Sequence, residues 1–103
     1  MSDNPNPWLL KDGLRVGHLN VNHVISKITE ISSILTNSGK NFHIFGCSES
    51  RLSSAISDSD ISLPGYNIVR RDPIQDRETG LLLYIHQSVR FKRIVSLEQH
   101  NVE

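Results

Sequence analysis

Leu14-Arg15-Val16-Gly17-His18-Leu19-Asn20-Val21 is a short apolar-rich run that stops at an amide, and Phe42-His43-Ile44-Phe45-Gly46-Cys47-Ser48-Glu49 is a second that stops at a carboxylate. Between them Ile25, Ile28, Ile31, Ser32 and Leu35 recur at helical spacing, Ile34 widens the apolar stripe, and Asn37-Ser38-Gly39 supplies residues that stop a helix. Strand, helix and strand in that order form a crossover unit. Its strands are expected to be parallel and its connection right-handed, because a right-twisted strand feeding a helix packs back on the sheet only that way. Ligands of such sheets bind beyond the carboxyl ends of the strands. With the two strands in register, Asn20 and Glu49 are expected roughly 5 Å apart at that edge.

A carboxylate beside an amide oxygen is a hard-oxygen pair. Magnesium is held in this way, by one or two carboxylates plus waters and substrate phosphates, since it gives up its water reluctantly. The chemistry such a pair points to is metal-assisted phosphoryl transfer. The plainer account of the same residues is a solvated loop acid and a turn or cap amide.

The chain has 103 residues and 11.6 kDa, which bounds it to one domain with a modest core. Eleven basic and eleven acidic residues cancel, which argues against binding nucleic acid by bulk charge alone. The single cysteine, Cys47, excludes an internal disulfide and lies in an apolar run where an inert, buried thiol is expected. His43 shares its strand face but is too far along it to act as its base. The histidines at 18, 23, 43, 86 and 100 lack the close pairings of zinc sites. Without a signal-like or membrane-length apolar segment, the expectation is a soluble, intracellular protein, nuclear or cytoplasmic, with no membrane partner.

Residues 1–13 read as a disordered leader, with Trp8, Leu9 and Leu10 able to plug the sheet edge and Asp12-Gly13 turning into the first strand. Asn22 is the expected N-cap of the helix, and His23 can face the site. Ser50 to Ser62 reads as a long surface loop with at most one helical turn. Leu63-Pro64-Gly65-Tyr66 is a turn signature leading into the alternating strand Tyr66 to Arg71. After a charged loop from Asp72 to Thr79, Gly80-Leu81-Leu82-Leu83-Tyr84-Ile85 is apolar on both faces, as befits the middle of a covered sheet. Val89 to Val95 offers a further strand with Phe91, Arg93 and Val95 on one side, and Asn101-Val102-Glu103 reads as the opening of another that stops abruptly.

Taken together, His18-Leu19-Asn20-Val21, Ser48-Glu49-Ser50-Arg51-Leu52, Leu63-Pro64-Gly65-Tyr66, Arg70-Arg71-Asp72 and Gly80-Leu81-Leu82-Leu83-Tyr84-Ile85 resemble the start of an endonuclease/exonuclease/phosphatase domain. The resemblance is greatest to the apurinic-type endonuclease domains of non-LTR retrotransposons. It runs from Leu14 to Glu103 and corresponds to about the N-terminal half of that domain. It implies an α/β chain forming part of a four-layered α/β sandwich (DNase I-like), of which these residues supply parts of one sheet and one helix layer. It also implies that Asn20 and Glu49 help hold a catalytic Mg2+ or Mn2+, that DNA is the partner of the parent domain, and that the metal at Glu49 polarises a scissile phosphate attacked in line by water. Glu103 corresponds to a glutamate that opens the family's next strand, a structural position.

The departures carry as much. The family's catalytic tyrosine, its Asp-x-Asn pair and its Ser-Asp-His triplet with the essential histidine have no counterpart in this chain, and the glycine cluster before the central strand is reduced to Gly80. Loss of a general base typically lowers the rate by about 10² to 10⁴, so the chain alone is expected to have little or no activity. The alternatives are a non-catalytic remnant of a mobile element, self-associating through an uncovered sheet face; a binding module using Arg70, Arg71 and Arg77; and a phosphatase or phosphodiesterase of the same superfamily.

Overall fold

The computed structural model describes residues 13–37, 42–74 and 78–94. Strand β1 (Val16–Asn20) leads through a 3-10 turn (Val24–Lys27) into helix α1 (Ile28–Asn37), followed by strand β2 (Ile44–Ser48), a one-turn helix α2 (Asp58–Ile61), and strands β3 (Tyr66–Arg71) and β4 (Leu81–His86). The four strands form one mixed sheet in the order β1-β2-β4-β3. Strands β1 and β2 are parallel, with Asn20 opposite Ser48, as the crossover reading requires. Strand β4 runs antiparallel to both β2 and β3, so the fold is mixed α/β.

Pairing assigns each side chain to a face. Gly17, Leu19, Phe45, Cys47, Leu82, Tyr84, Ile68 and Arg70 share one face; Val16, His18, Asn20, Ile44, Gly46, Ser48, Leu81, Leu83, Val69 and Arg71 share the other. The first face is the core side. There Phe45, Cys47, Leu82 and Tyr84 pack with Ile31 and Leu35 of α1 and with Leu52, Ile61 and Leu63 of the connection that follows β2. Each fully buried Leu or Ile contributes about 1.5–3 kcal/mol. The Tyr84 hydroxyl is buried with its ring and donates to Ile61 O at 2.7 Å, which ties α2 to the central strands.

Three expectations are corrected. The helix stripe begins one residue early in space: the first turn is 3-10, so Val24 is buried and Ile25 is exposed. Val89 to Val95 is not a strand over the described residues 89–94, which run irregularly, with Arg93 Nη1 donating to Arg70 O at 3.1 Å and Phe91 and Ile94 exposed. Nor is β4 covered on both faces by the described residues. Leu82 and Tyr84 are buried, and on the other face Ile85 is buried too, but Leu81 is 55% and Leu83 36% exposed there, together with Val16 at 60%.

The turn before β3 is as expected. Tyr66 N donates to Leu63 O at 3.1 Å, with Pro64 first and Gly65 second in the turn, and φ of +84° at Gly65 selects glycine there. The leader over residues 1–12, Trp8, Leu9 and Leu10, Ser38-Gly39, Arg77, Val95 and the strand opening at residues 101–103 lie outside the described residues.

Candidate functional site

Past the last bridge of the parallel pair the two chains stay joined. Val21 N donates to Ser48 O (3.0 Å), His23 N to Glu49 O (2.8 Å) and Val24 N to Ser50 O (3.0 Å). On the other side the stretch before β4 holds the same segment, with Ser50 N donating to Gly80 O (3.3 Å) and Arg51 N to Thr79 O (2.8 Å). Ser50 and Leu52 are buried, and Glu49 and Arg51, alternating with them, turn outward. This alternation is achieved with left-handed backbone at Glu49 (φ +58°) and Arg51 (φ +54°). The facing loop carries the same feature at Asn22 (φ +46°) and His23 (φ +102°). Among the described residues these four are the non-glycine positions with positive φ, and they sit at one sheet edge.

Asn20 and Glu49 meet there. Asn20 Nδ2 donates to Glu49 Oε2 at 3.0 Å, so the amide meets the carboxylate through its N–H rather than its carbonyl oxygen. The other carboxylate oxygen, Oε1, lies 3.7 Å from Arg51 Nη2, and Arg51 Nε donates to Asn22 Oδ1 at 3.3 Å. Asn22 therefore does not cap the helix. The position before the 3-10 turn is His23, and the Asn22 side chain is engaged with Arg51 across the loops.

The histidine rings with described contacts are placed elsewhere. His18 Nε2 pairs with Ser48 Oγ at 3.2 Å on the uncovered face, and His43 is fully buried with Nδ1 accepting from Arg15 N at 2.7 Å. His86 Nδ1 accepts from Ser88 N at 3.1 Å, and burial lowers its pKa. Cys47 is buried, and loss of solvation pushes its thiol up to about 11, which leaves it inert near neutral pH.

The two arginines of β3 part company. Arg70 faces the core side and is 16% exposed. Its guanidinium grips Asp72 through Nε (3.0 Å) and Nη2 (2.7 Å), and also reaches Ile56 O, Ser53 O and Asp58. This engagement, with the Asp72 hydrogen bonds foremost, raises its pKa. Arg71 is exposed on the opposite face, where a cavity of about 280 Å³ is lined by His18, Gly46, Val69, Leu83, Arg71 and Arg93.

Among the described residues no three His, Cys, Asp or Glu side chains gather as a metal cage. What the site offers is one half-exposed carboxylate steadied by an amide. That donor set suits a hard cation that keeps most of its waters, not zinc or another ion that needs a closed protein shell. Arg51, Ser50 and Gly80 join the cluster although their sequence segments gave them no role in the site. The signal for Arg51 was its place two residues after Glu49, which returns it to the same side of an extended chain. Ser50 Oγ is buried without a hydrogen-bond partner, facing Gly80, where an added Cβ would lie 2.7 Å from it. Compared with known family models, curated proteins and solved structures, the chain matches none.

Proposed function

We propose that Asn20 and Glu49 are the cation-holding part of a magnesium-dependent phosphodiesterase site of the endonuclease/exonuclease/phosphatase kind, acting on DNA in a parent domain of the non-LTR retrotransposon type. The chain would then be the N-terminal portion of a DNase I-like sandwich. The observation that carries this reading is the Asn20–Glu49 contact at the carboxyl ends of adjacent parallel strands, where open α/β sheets bind ligands. Left-handed backbone at Glu49 adds support, since strained non-glycine positions cluster at functional sites.

Glu49 would hold a Mg2+ or Mn2+ ion through its carboxylate, with Asn20 orienting that carboxylate. The bound ion supplies charge neutralisation at a phosphate and a more acidic water. Arg71, exposed on the face opposite the core, would contact the nucleic-acid backbone. No described histidine is assigned as general base: His18, His43 and His86 are engaged at Ser48, Arg15 and Ser88, and His23, exposed at this edge, is tied to Glu49 O through its backbone N–H. The chain alone is therefore expected not to cleave.

A second reading is favoured by the exposed apolar side chains of Val16, Leu81 and Leu83: a non-catalytic remnant that associates through this face. Incubating the chain and its Glu49→Ala variant with supercoiled plasmid and Mg2+ tests the proposal. No nicking by either is expected. Glu49-dependent nicking would overturn the claim that the chain is incomplete as a catalyst, and nicking that survives Glu49→Ala would overturn the site.

A further inference from the structure

Arg70 and Arg51 both lie close to carboxylates, and they are held very differently. Arg70 is locked by a two-pronged grip on Asp72 at 2.7 and 3.0 Å and by two backbone carbonyls. Arg51 has a fixed backbone, through Arg51 N to Thr79 O at 2.8 Å, but its guanidinium rests on two long contacts. These are 3.7 Å to Glu49 Oε1 and 3.3 Å to Asn22 Oδ1, with the Glu49 and Arg51 side chains 35% and 43% exposed. An ion pair that long and that wet is weak. It nevertheless puts a positive charge on the one oxygen of Glu49 that Asn20 does not engage.

We propose that Arg51 is the resident counter-cation of Glu49, exchanged for the divalent cation when that ion binds. The exchange turns the guanidinium outward as a phosphate-binding group. This deepens the reading of Asn20 and Glu49 as a cation site and rests on it. A guanidinium and a divalent ion repel when both approach one carboxylate oxygen, so the weaker of the two contacts gives way. The released group is a planar fork, matched to phosphate oxygens, on a backbone bonded to Thr79 O. Cation and phosphate then favour each other, and the coupling is reciprocal.

The test is Mn2+ binding to the 103-residue chain by electron paramagnetic resonance, in wild type, Glu49→Gln, Arg51→Gln and Arg51→Lys. Glu49→Gln is expected to weaken binding by more than about tenfold. Arg51→Gln is expected to tighten it by about two- to fivefold, the equilibrium equivalent of a weak exposed ion pair, and Arg51→Lys to stay near wild type. In the unmutated chain, Mg2+ is expected to shift the Arg51 Nε–H resonance in a ¹⁵N correlation spectrum. A short thymidine oligonucleotide should then shift it further only with Mg2+ present. Loss of binding in Glu49→Gln with no tightening in Arg51→Gln, or an Arg51 resonance unmoved by Mg2+, would overturn the exchange and leave the cation site standing. Mn2+ binding equal in wild type and Glu49→Gln, or none in wild type, would overturn the cation site and the exchange with it.

Discussion

Replacing Arg70 with alanine is expected to destabilise the fold by about 2–4 kcal/mol. Charge-assisted hydrogen bonds contribute about 1.5–3 kcal/mol each when shielded, and exposed ion pairs about 0–1 kcal/mol. Asp58 is 68% exposed and belongs to the second class. The two bonds to Asp72, which is 26% exposed, and the bond to Ile56 O are part-buried and carry most of the loss. For a domain whose total stability is about 5–15 kcal/mol the change is large, and the melting temperature should fall by about 10–25 °C. Urea unfolding followed by far-UV circular dichroism measures it as a lowered midpoint at unchanged slope. Arg70→Lys should recover less than half of the loss, because an ammonium group cannot engage Asp72 with two parallel bonds while also serving two carbonyls. Combined with Asp72→Asn in a double-mutant cycle, the pair should couple by about 1 kcal/mol or more. An Arg70→Ala change within about 0.5 kcal/mol of wild type, the usual range for surface substitutions, would refute the assignment of Arg70 as the clamp of this loop.

Gly80→Ala is expected to lose about 2–3 kcal/mol: its φ is +91°, and the new Cβ would meet Ser50 Oγ at 2.7 Å and Pro73 Cδ at 3.0 Å. Gly65→Ala, at φ +84° in open space, should lose only the conformational part, about 1–2 kcal/mol, and equal losses in the two variants would show that the contact with Ser50 is relieved without strain. Cys47 gives a pH dependence. Its thiol is raised from 9.0 to about 11 in the folded chain, so its contribution is fully present below pH 9 and falls as pH rises from about 9 to 11. The slope is about 1.4 kcal/mol per pH unit, and Cys47→Val should flatten it between about pH 9 and 10, above which the Tyr84 hydroxyl, also raised by burial, adds its own; a curve unflattened in that window would place the titration on another group. Tyr84→Phe leaves Ile61 O without its buried donor and should lower stability by about 1–2 kcal/mol in the same urea assay.

The parallel pair, the helix between its strands, the turn at Leu63 to Tyr66 and strand β3 were all readable, because each depends on local periodicity or on residues with restricted backbone. The closeness of Asn20 and Glu49 followed from the same source: once two strands are parallel neighbours, their ends coincide. What was not readable depends on long-range geometry. The start of α1 as a 3-10 turn arises because His23 and Val24 are held by Glu49 O and Ser50 O, partners distant in sequence. Strand β4 is apolar from Leu81 to Ile85, and composition does not say which face the rest of the protein covers. The inward turn of Arg70 was present as parity, since Tyr66, Ile68 and Arg70 alternate onto one face, but its partners Asp58 and Ile56 O come from a loop whose path no pattern specifies.

The sheet is closed at its centre by the pairing of β2 with β4, where Ser48 lies opposite Leu81. On either side of that seam the chain is local: β1, α1 and β2 form one contiguous unit, and β3 and β4 form another. The seam joins the two units through partners that the whole connection separates in sequence. The site straddles this division. Asn20 and Glu49 both belong to the first unit, whereas Ser50 N and Arg51 N are bonded to Gly80 O and Thr79 O just before β4, in the second. Glu49 and Arg51, two residues apart in sequence, thus depend on different halves of the sheet for their places.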